Sequence, residues 1–163
     1  MPKETQPSTP SAPVTRETLI KGLQEDLSRE YQAIIAYVVY SQVLKGAEYQ
    51  SIAKELEVHA GEELAHAITI AKQIDYLGGC PTVTPKPVKV SDKTEDLLRF
   101  DLDNEVETVA NYRNRIRQAE ALGEFALSET LREIILQEQE HEIDLATALG
   151  IEVPRDSENA QKK

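Results

Sequence analysis

Tryptophan is absent from this 163-residue chain, phenylalanine occurs twice, and methionine only at Met1. With no internal methionine, a methionine-ligated haem has no ligand to draw on. The single cysteine, Cys80, excludes an internal disulfide and a four-thiolate metal site. No stretch reaches the roughly 18 apolar residues of a membrane span, and the N-terminus lacks the apolar run of a signal peptide. The expectation is therefore a cytoplasmic protein with no membrane partner. Basic residues are scarce: 18 Lys and Arg against 29 Asp and Glu leave a net charge of −11. That deficit argues against nucleic acid, whose phosphates are bound by displacing counterions with Lys and Arg. It suits a protein that draws cations. The length is one domain's worth, and 40% hydrophobic residues can build a core without cross-links.

Proline marks the borders. Pro2, Pro7, Pro10 and Pro13 lie in a Ser/Thr-rich segment, so residues 1–14 read as a flexible tail. Pro81, Pro85 and Pro87 follow Gly78-Gly79-Cys80 and mark an extended connection over 78–91. Pro154 opens a polar C-terminal tail, 151–163. Between the markers lie two proline-free stretches, 14–80 and 88–153, each with apolar residues at three- and four-residue steps. Leu19, Leu23, Leu27, Ile34 and Tyr37 carry the rhythm in the first, and Leu98, Leu102, Val109, Tyr112 and Ile116 in the second. Gly46 and Gly123 interrupt each stretch, Ser91 or Asp92 can cap the third helix, and Gly150 stops the fourth. The pattern predicts helices near 16–45, 48–77, 92–121 and 124–149 within a domain spanning 15–150. Short breaks imply antiparallel neighbours, and the long connection can traverse a bundle. The expected fold is all-α, an antiparallel four-helix bundle with one long crossover.

Ionisable residues interrupt the apolar stripes. At about 100° per residue, Glu30, Glu63, His66, Glu105, Glu138 and His141 all fall on the faces that carry the leucines and isoleucines. Glu107, two positions from Glu105, points the opposite way. Four inward glutamates repel one another, and two histidines cannot neutralise them, whereas two divalent metals can. The spacing repeats. Glu30 to Glu63 and Glu105 to Glu138 are both 33 residues, and each second glutamate is followed three positions on by a histidine. At an offset of 75 residues, Asp26 also matches Asp101 and Tyr37 matches Tyr112, which points to an internal duplication around a shared site.

In Glu-x-x-His the two side chains share a helix face and can converge on one ion. Carboxylate oxygens with imidazole nitrogens favour iron or manganese over zinc. The minimal arrangement has Glu63 and Glu138 bridging two ions, with Glu30 and His66 completing one sphere and Glu105 and His141 the other. Asp26 and Asp101, one turn before Glu30 and Glu105, are placed to accept the second N–H of each histidine. Tyr37 and Tyr112 are candidates to hydrogen-bond the carboxylates.

This six-residue set resembles the ferritin-like di-iron superfamily, whose ligand arrangement is a general pattern of such bundles. The stretches LSREYQAIIAY (27–37), Glu63-Leu64-Ala65-His66, DLDNE (101–105) and Glu138-Gln139-Glu140-His141 are most similar to bacterioferritins. The resemblance spans roughly residues 16–150. It implies a ferroxidase that oxidises Fe(II) with O2 or H2O2 at two irons per subunit, and storage of Fe(III) mineral in a hollow homo-oligomer of 12 or 24 subunits. Manganese is the other metal that fits. Two departures stand out. Leu64 occupies the position of the family's haem-ligating methionine, and no counterpart of the fifth helix of 24-subunit cages follows Gly150. The tyrosine pair is equally similar to rubrerythrin-type peroxidases, so a rubrerythrin-like peroxidase or manganese-catalase-like oxidoreductase is the alternative.

Three further features carry milder expectations. His59 lies one turn before Glu63, but its partner in the repeat is Ile134, so it reads as a packing or access-path residue rather than a third-metal ligand. Arg113, Arg115 and Arg117 read as a solvated face or subunit contact. Cys80 reads as a solvent-edge residue in its loop.

Overall fold

A computed structural model describes residues 13–155. The expected tails fall largely on residues 1–12 and 156–163, which lie outside the described residues. Four helices account for the architecture: α1 (Arg16–Val43), α2 (Gln50–Tyr76), α3 (Thr94–Ala121) and α4 (Phe125–Ala148). No strand occurs among the described residues. No described helix is long and apolar enough to cross a membrane.

The ends of the helices have local causes. Thr15 and Thr18 form a capping box, the Thr15 hydroxyl accepting from the Thr18 amide and the Thr18 hydroxyl from the Thr15 amide. After α1 the chain reverses at Gly46, whose φ of 123° is closed to residues with a side chain. A single 3₁₀ turn, Ala47–Tyr49, then leads into α2, which therefore begins later than the apolar rhythm suggests. Helix α3 also starts two residues beyond its expected cap. Ser91 accepts from the Lys93 amide and donates to Asp96, so it organises the approach without capping the helix. Glu95 and Asp96 then place negative charge in the first turn.

Helix α1 packs along α2, α3 along α4, and the two hairpins meet through α1–α3 and α2–α4 contacts. The crossover needs hydrogen-bond partners, since its prolines cannot enter a ladder. One face of α1 provides them. Gln24 donates to the Cys80 carbonyl and accepts from the Thr82 amide, the Ser28 carbonyl accepts from the Lys86 amide, and Gln32 donates to the Pro87 carbonyl. Tyr40 extends the latch to the Lys89 carbonyl. Cys80 itself is exposed. The molecule is an all-α antiparallel four-helix bundle with one long crossover.

Arg115 departs from the solvated face expected of it. It is 7% exposed and donates from Nε to Asp26 Oδ2 at 2.7 Å and from Nη2 to Asp26 Oδ1 at 3.3 Å, tying α3 to α1. Glycine at position 22 makes this fit: a Cβ there would lie 2.0 Å from Arg115 Nη1.

The apolar interior is divided in two. One cluster gathers Leu19, Leu23, Leu27, Ile70, Ile74 and Leu131 with Tyr112. The other gathers Ile52, Leu56, Leu98, Leu102 and Leu145 with Tyr37. Between them lies a polar layer.

Candidate metal centre

Each helix contributes to that layer. Helix α1 supplies Glu30, α2 Glu63 and His66, α3 Glu105, and α4 Glu138 and His141; all six are 0–3% exposed. Their ligand atoms form two groups, each within 4.8 Å throughout: Glu30, Glu63, His66 and Glu138, and Glu63, Glu105, Glu138 and His141. The groups share Glu63 and Glu138. That overlap would let two neighbouring cations share two carboxylates.

The histidines face the carboxylates through Nδ1. His66 Nδ1 is 3.5 Å from Glu30, 3.3 Å from Glu63 and 3.2 Å from Glu138. His141 Nδ1 is 2.9 Å from Glu63 and 3.3 Å from Glu138. The opposite nitrogens point outward: His66 Nε2 lies 2.7 Å from Gln137 Oε1, and His141 Nε2 lies 2.9 Å from Glu62 Oε2. Gln137 and Glu62 are themselves 75 residues apart and are joined by a hydrogen bond. An N–H given outward by Nε2 leaves Nδ1 free to bind a cation and fixes the ring's orientation.

The acceptor role expected of Asp26 and Asp101 therefore belongs to Glu62 and Gln137. Asp26 is taken by Arg115, and Asp101 is buried with Oδ2 lacking any hydrogen-bond partner. Glu62 and Gln137 immediately precede the two Glu-x-x-His motifs, and their common offset was the sequence signal for them. The tyrosines cross between the halves. Tyr37 on α1 donates to Glu105 on α3, and Tyr112 on α3 donates to Glu30 on α1. Each fixes one oxygen of a terminal glutamate and leaves the other to face the centre.

The buried carboxylates and imidazoles perturb one another strongly. Burial, then the charges of Glu63 and Glu138, push Glu30 well above the usual carboxylate range, and the same influences raise Glu105. Burial works against protonation of the histidines, yet the surrounding carboxylates raise His66 and push His141 up to about 12. Burial also opposes ionisation of Glu63, but the Glu30 carboxyl and the His141 and His66 imidazoles beside it outweigh burial and hold Glu63 low. Protons thus occupy the places where positive charge is needed.

They do not satisfy the layer. Both oxygens of Glu138, Glu30 Oε2, Glu63 Oε1 and His141 Nδ1 are buried without a hydrogen-bond partner, although some lie within 3.3 Å of one another. Native interiors rarely leave such atoms unpaired. Five unpaired ligand atoms converging from three helices fit a pair of metal ions, and the donor set of four carboxylates and two imidazoles fits iron or manganese.

Comparisons with known proteins bear on the fold and the family. The chain is 34% identical to a ferritin-like di-iron-carboxylate protein of Bacillus anthracis, covering 82% of this chain and 96% of that one, with a TM-score of 0.79. It is 27% identical to the bacterioferritin-related protein of Bacteroides fragilis, a dodecameric thioferritin, over 84% of this chain and 87% of that one, with a TM-score of 0.77. Among curated relatives, the bacterioferritin of Brucella melitensis is 24% identical over 141 residues, 82% of this chain and 88% of its own length. That of Streptomyces coelicolor is 27% identical over 135 residues, 82% and 80% respectively. The pattern of the ferritin-like domain matches residues 20–152. With that match spanning all four helices and the buried carboxylate–histidine layer between them, the chain belongs to the ferritin-like domain family.

Proposed function

We propose that the protein is a ferroxidase: it binds two Fe(II) ions per subunit as substrate in the buried layer and passes their electrons to O2 or H2O2. The observation that carries this reading is the sharing of Glu63 and Glu138 between two four-residue groups whose ligand atoms lack other partners. Two Fe(II) held side by side supply two electrons to one oxidant, giving two Fe(III) and, with two protons, H2O2 from O2 or two waters from H2O2. The chain's own part is positional. Tyr37 and Tyr112 fix the terminal glutamates, Glu62 and Gln137 fix the histidine rings, and the flanking apolar clusters keep bulk water from the layer. Anionic oxygens favour the ferric product.

Storage or detoxification of iron in the cytoplasm, inside a homo-oligomeric shell, completes the proposal. The bacterioferritin relatives and the dodecameric neighbour support it, as does the acidic excess of the chain. Leu64, 52% exposed on α2, and the lack of an internal methionine support a shell without methionine-ligated haem.

Stopped-flow absorbance on anaerobically Fe(II)-loaded protein mixed with O2 or with H2O2 tests the centre. The parent is expected to show a fast phase at two irons per subunit, and Glu105→Ala is expected to lose it. Glu107→Ala is the control: that side chain is exposed and pairs with Arg29 outside the layer, and such a pair contributes at most about 1 kcal/mol. Oxidation by Glu105→Ala at the parental rate would reject the centre. The tyrosine pair also suits peroxide-consuming relatives. Fast reaction with peroxide, no reaction with O2 and no ferric accumulation would move the function to a rubrerythrin-like peroxidase, and peroxide dismutation with manganese bound to a catalase-like enzyme.

A further inference from the structure

The duplicated halves differ sharply on one face of the bundle. On the α2–α4 side stand Glu55, His59 and Asp144; 75 positions away in the repeat are Thr130, Ile134 and Thr69. Three polar, metal-ligating side chains replace two threonines and an isoleucine at one place, and the three meet in space. His59 is 2% exposed, and its Nε2 lies 3.1 Å from Asp144 Oδ2 and 3.9 Å from Glu55 Oε1. A single N–H on Nε2 can serve only one of those carboxylates, and Nδ1 has no hydrogen-bond partner at all. The buried imidazole thus aims Nε2 between two carboxylates from different helices and can satisfy only one of them at a time.

Outward, Glu55 and Asp144 are half-exposed and line a cleft of about 350 Å³ together with Glu48, Ser51 and Ile52. Inward, the His59 ring stacks on His141 at 4.0 Å, and His59, Glu62 and His141 again bring ligand atoms within 4.8 Å of one another. His141 belongs to the buried layer. Donor atoms thus continue without a gap from an acidic cleft to the centre, with exposure falling from 49% at Glu55 to 2% at His59 and 1% at His141.

We propose that Glu55, His59 and Asp144 form a third divalent-cation site, a way station from the cleft to the dinuclear centre. One imidazole and two carboxylates suit a first-row divalent ion. Three protein ligands leave positions for water, as exchange requires. The proposal rests on the dinuclear reading for its destination but not for the site itself.

Anaerobic Co(II) titration of the full-length chain, with bound metal counted per subunit, separates the two. The parent is expected to bind three ions. The double variant Glu55→Gln/Asp144→Asn changes only partly exposed side chains and is expected to bind two, as is His59→Phe, which keeps a ring and both carboxylates. Glu63→Ala is expected to keep the third ion while losing the buried pair. A parent that binds two ions, both lost in Glu63→Ala, overturns the third site and leaves the centre standing. A parent with one ion that survives Glu63→Ala supports the third site and removes the centre. Retention of three ions by the double variant or by His59→Phe overturns the ligand assignment. For the route, filling of the buried pair in the double variant should slow about tenfold or more, the lower end of what focused charge contributes to on-rates. A variant that has lost the third ion yet fills the pair at the parental rate overturns the way station.

Discussion

Glu62 and Gln137 hold the same place in the two halves but differ in charge, and each receives the outward N–H of a centre histidine, His141 and His66 respectively. A carboxylate acceptor makes an imidazole a stronger donor to metal than a carboxamide does. In the proposed centre the two cation positions are therefore unequal, and the first equivalent of Co(II) is expected to enter the sphere of Glu105 and His141. Glu62→Gln should weaken that step by about 10- to 100-fold, the usual cost of losing such a partner, and bring the two steps together. Unchanged stepwise binding in Glu62→Gln would show that the acceptors do not tune the site. The pair escaped the sequence reading because Glu and Gln do not register as a match when identical residues are compared. The six inward residues were legible because both identity and spacing recur. His59 had the opposite disadvantage: its partner is Ile134, so it read as a packing or access-path residue rather than a ligand, and only its three-dimensional neighbours Glu55 and Asp144 suggest otherwise.

At the level of elements, the same duplication conceals how α1 and α3 are tied. Arg115 looked like one of three solvated arginines because its charge outweighs its position on the wheel, and nothing local announces that Gly22 clears room for a guanidinium opposite. Burial raises the Asp26 carboxyl even against Arg115, so removing the cation strands an acid that is 2% exposed. Arg115→Met is expected to cost about 3–5 kcal/mol, the usual penalty for breaking a buried pair from one side. In a chain of this size that lowers the melting temperature by about 2–4 °C per kcal/mol. The double variant Asp26→Leu/Arg115→Met should recover most of the loss, because no charge is left unpaired. Calorimetry checks both; a shift in Arg115→Met no larger than in Arg132→Ala, whose arginine is half-exposed, would count against the pair. Helix number, order and the crossover were readable from periodicity and proline. The 3₁₀ turn before α2 and the late start of α3 were not, since each depends on hydrogen bonds made by a few loop residues.

For the whole molecule, the consequence of the polar layer is that the bundle has two apolar clusters rather than one continuous core. Glu138 stands between them, 0% exposed with neither oxygen hydrogen-bonded. In the metal-free protein such a group opposes folding, because the His66 and His141 imidazoles at 3.2 and 3.3 Å replace its lost hydration only in part. Cations reverse the sign: a ligand present at 100 times its dissociation constant stabilises by about 2.7 kcal/mol. Glu138→Leu exchanges the carboxylate for an apolar group that can join the flanking leucines. It is expected to melt above the parent when both are metal-free, and below the parent once Co(II) is added, since the variant has lost a bridge. The crossing of the two melting temperatures with metal is the diagnostic outcome. If Glu138→Leu melts below the parent under both conditions, the layer is held by its own hydrogen bonds rather than by cations. If it melts above the parent under both, Glu138 does not contribute to metal binding, and its place at the shared edge of the two groups has some other cause.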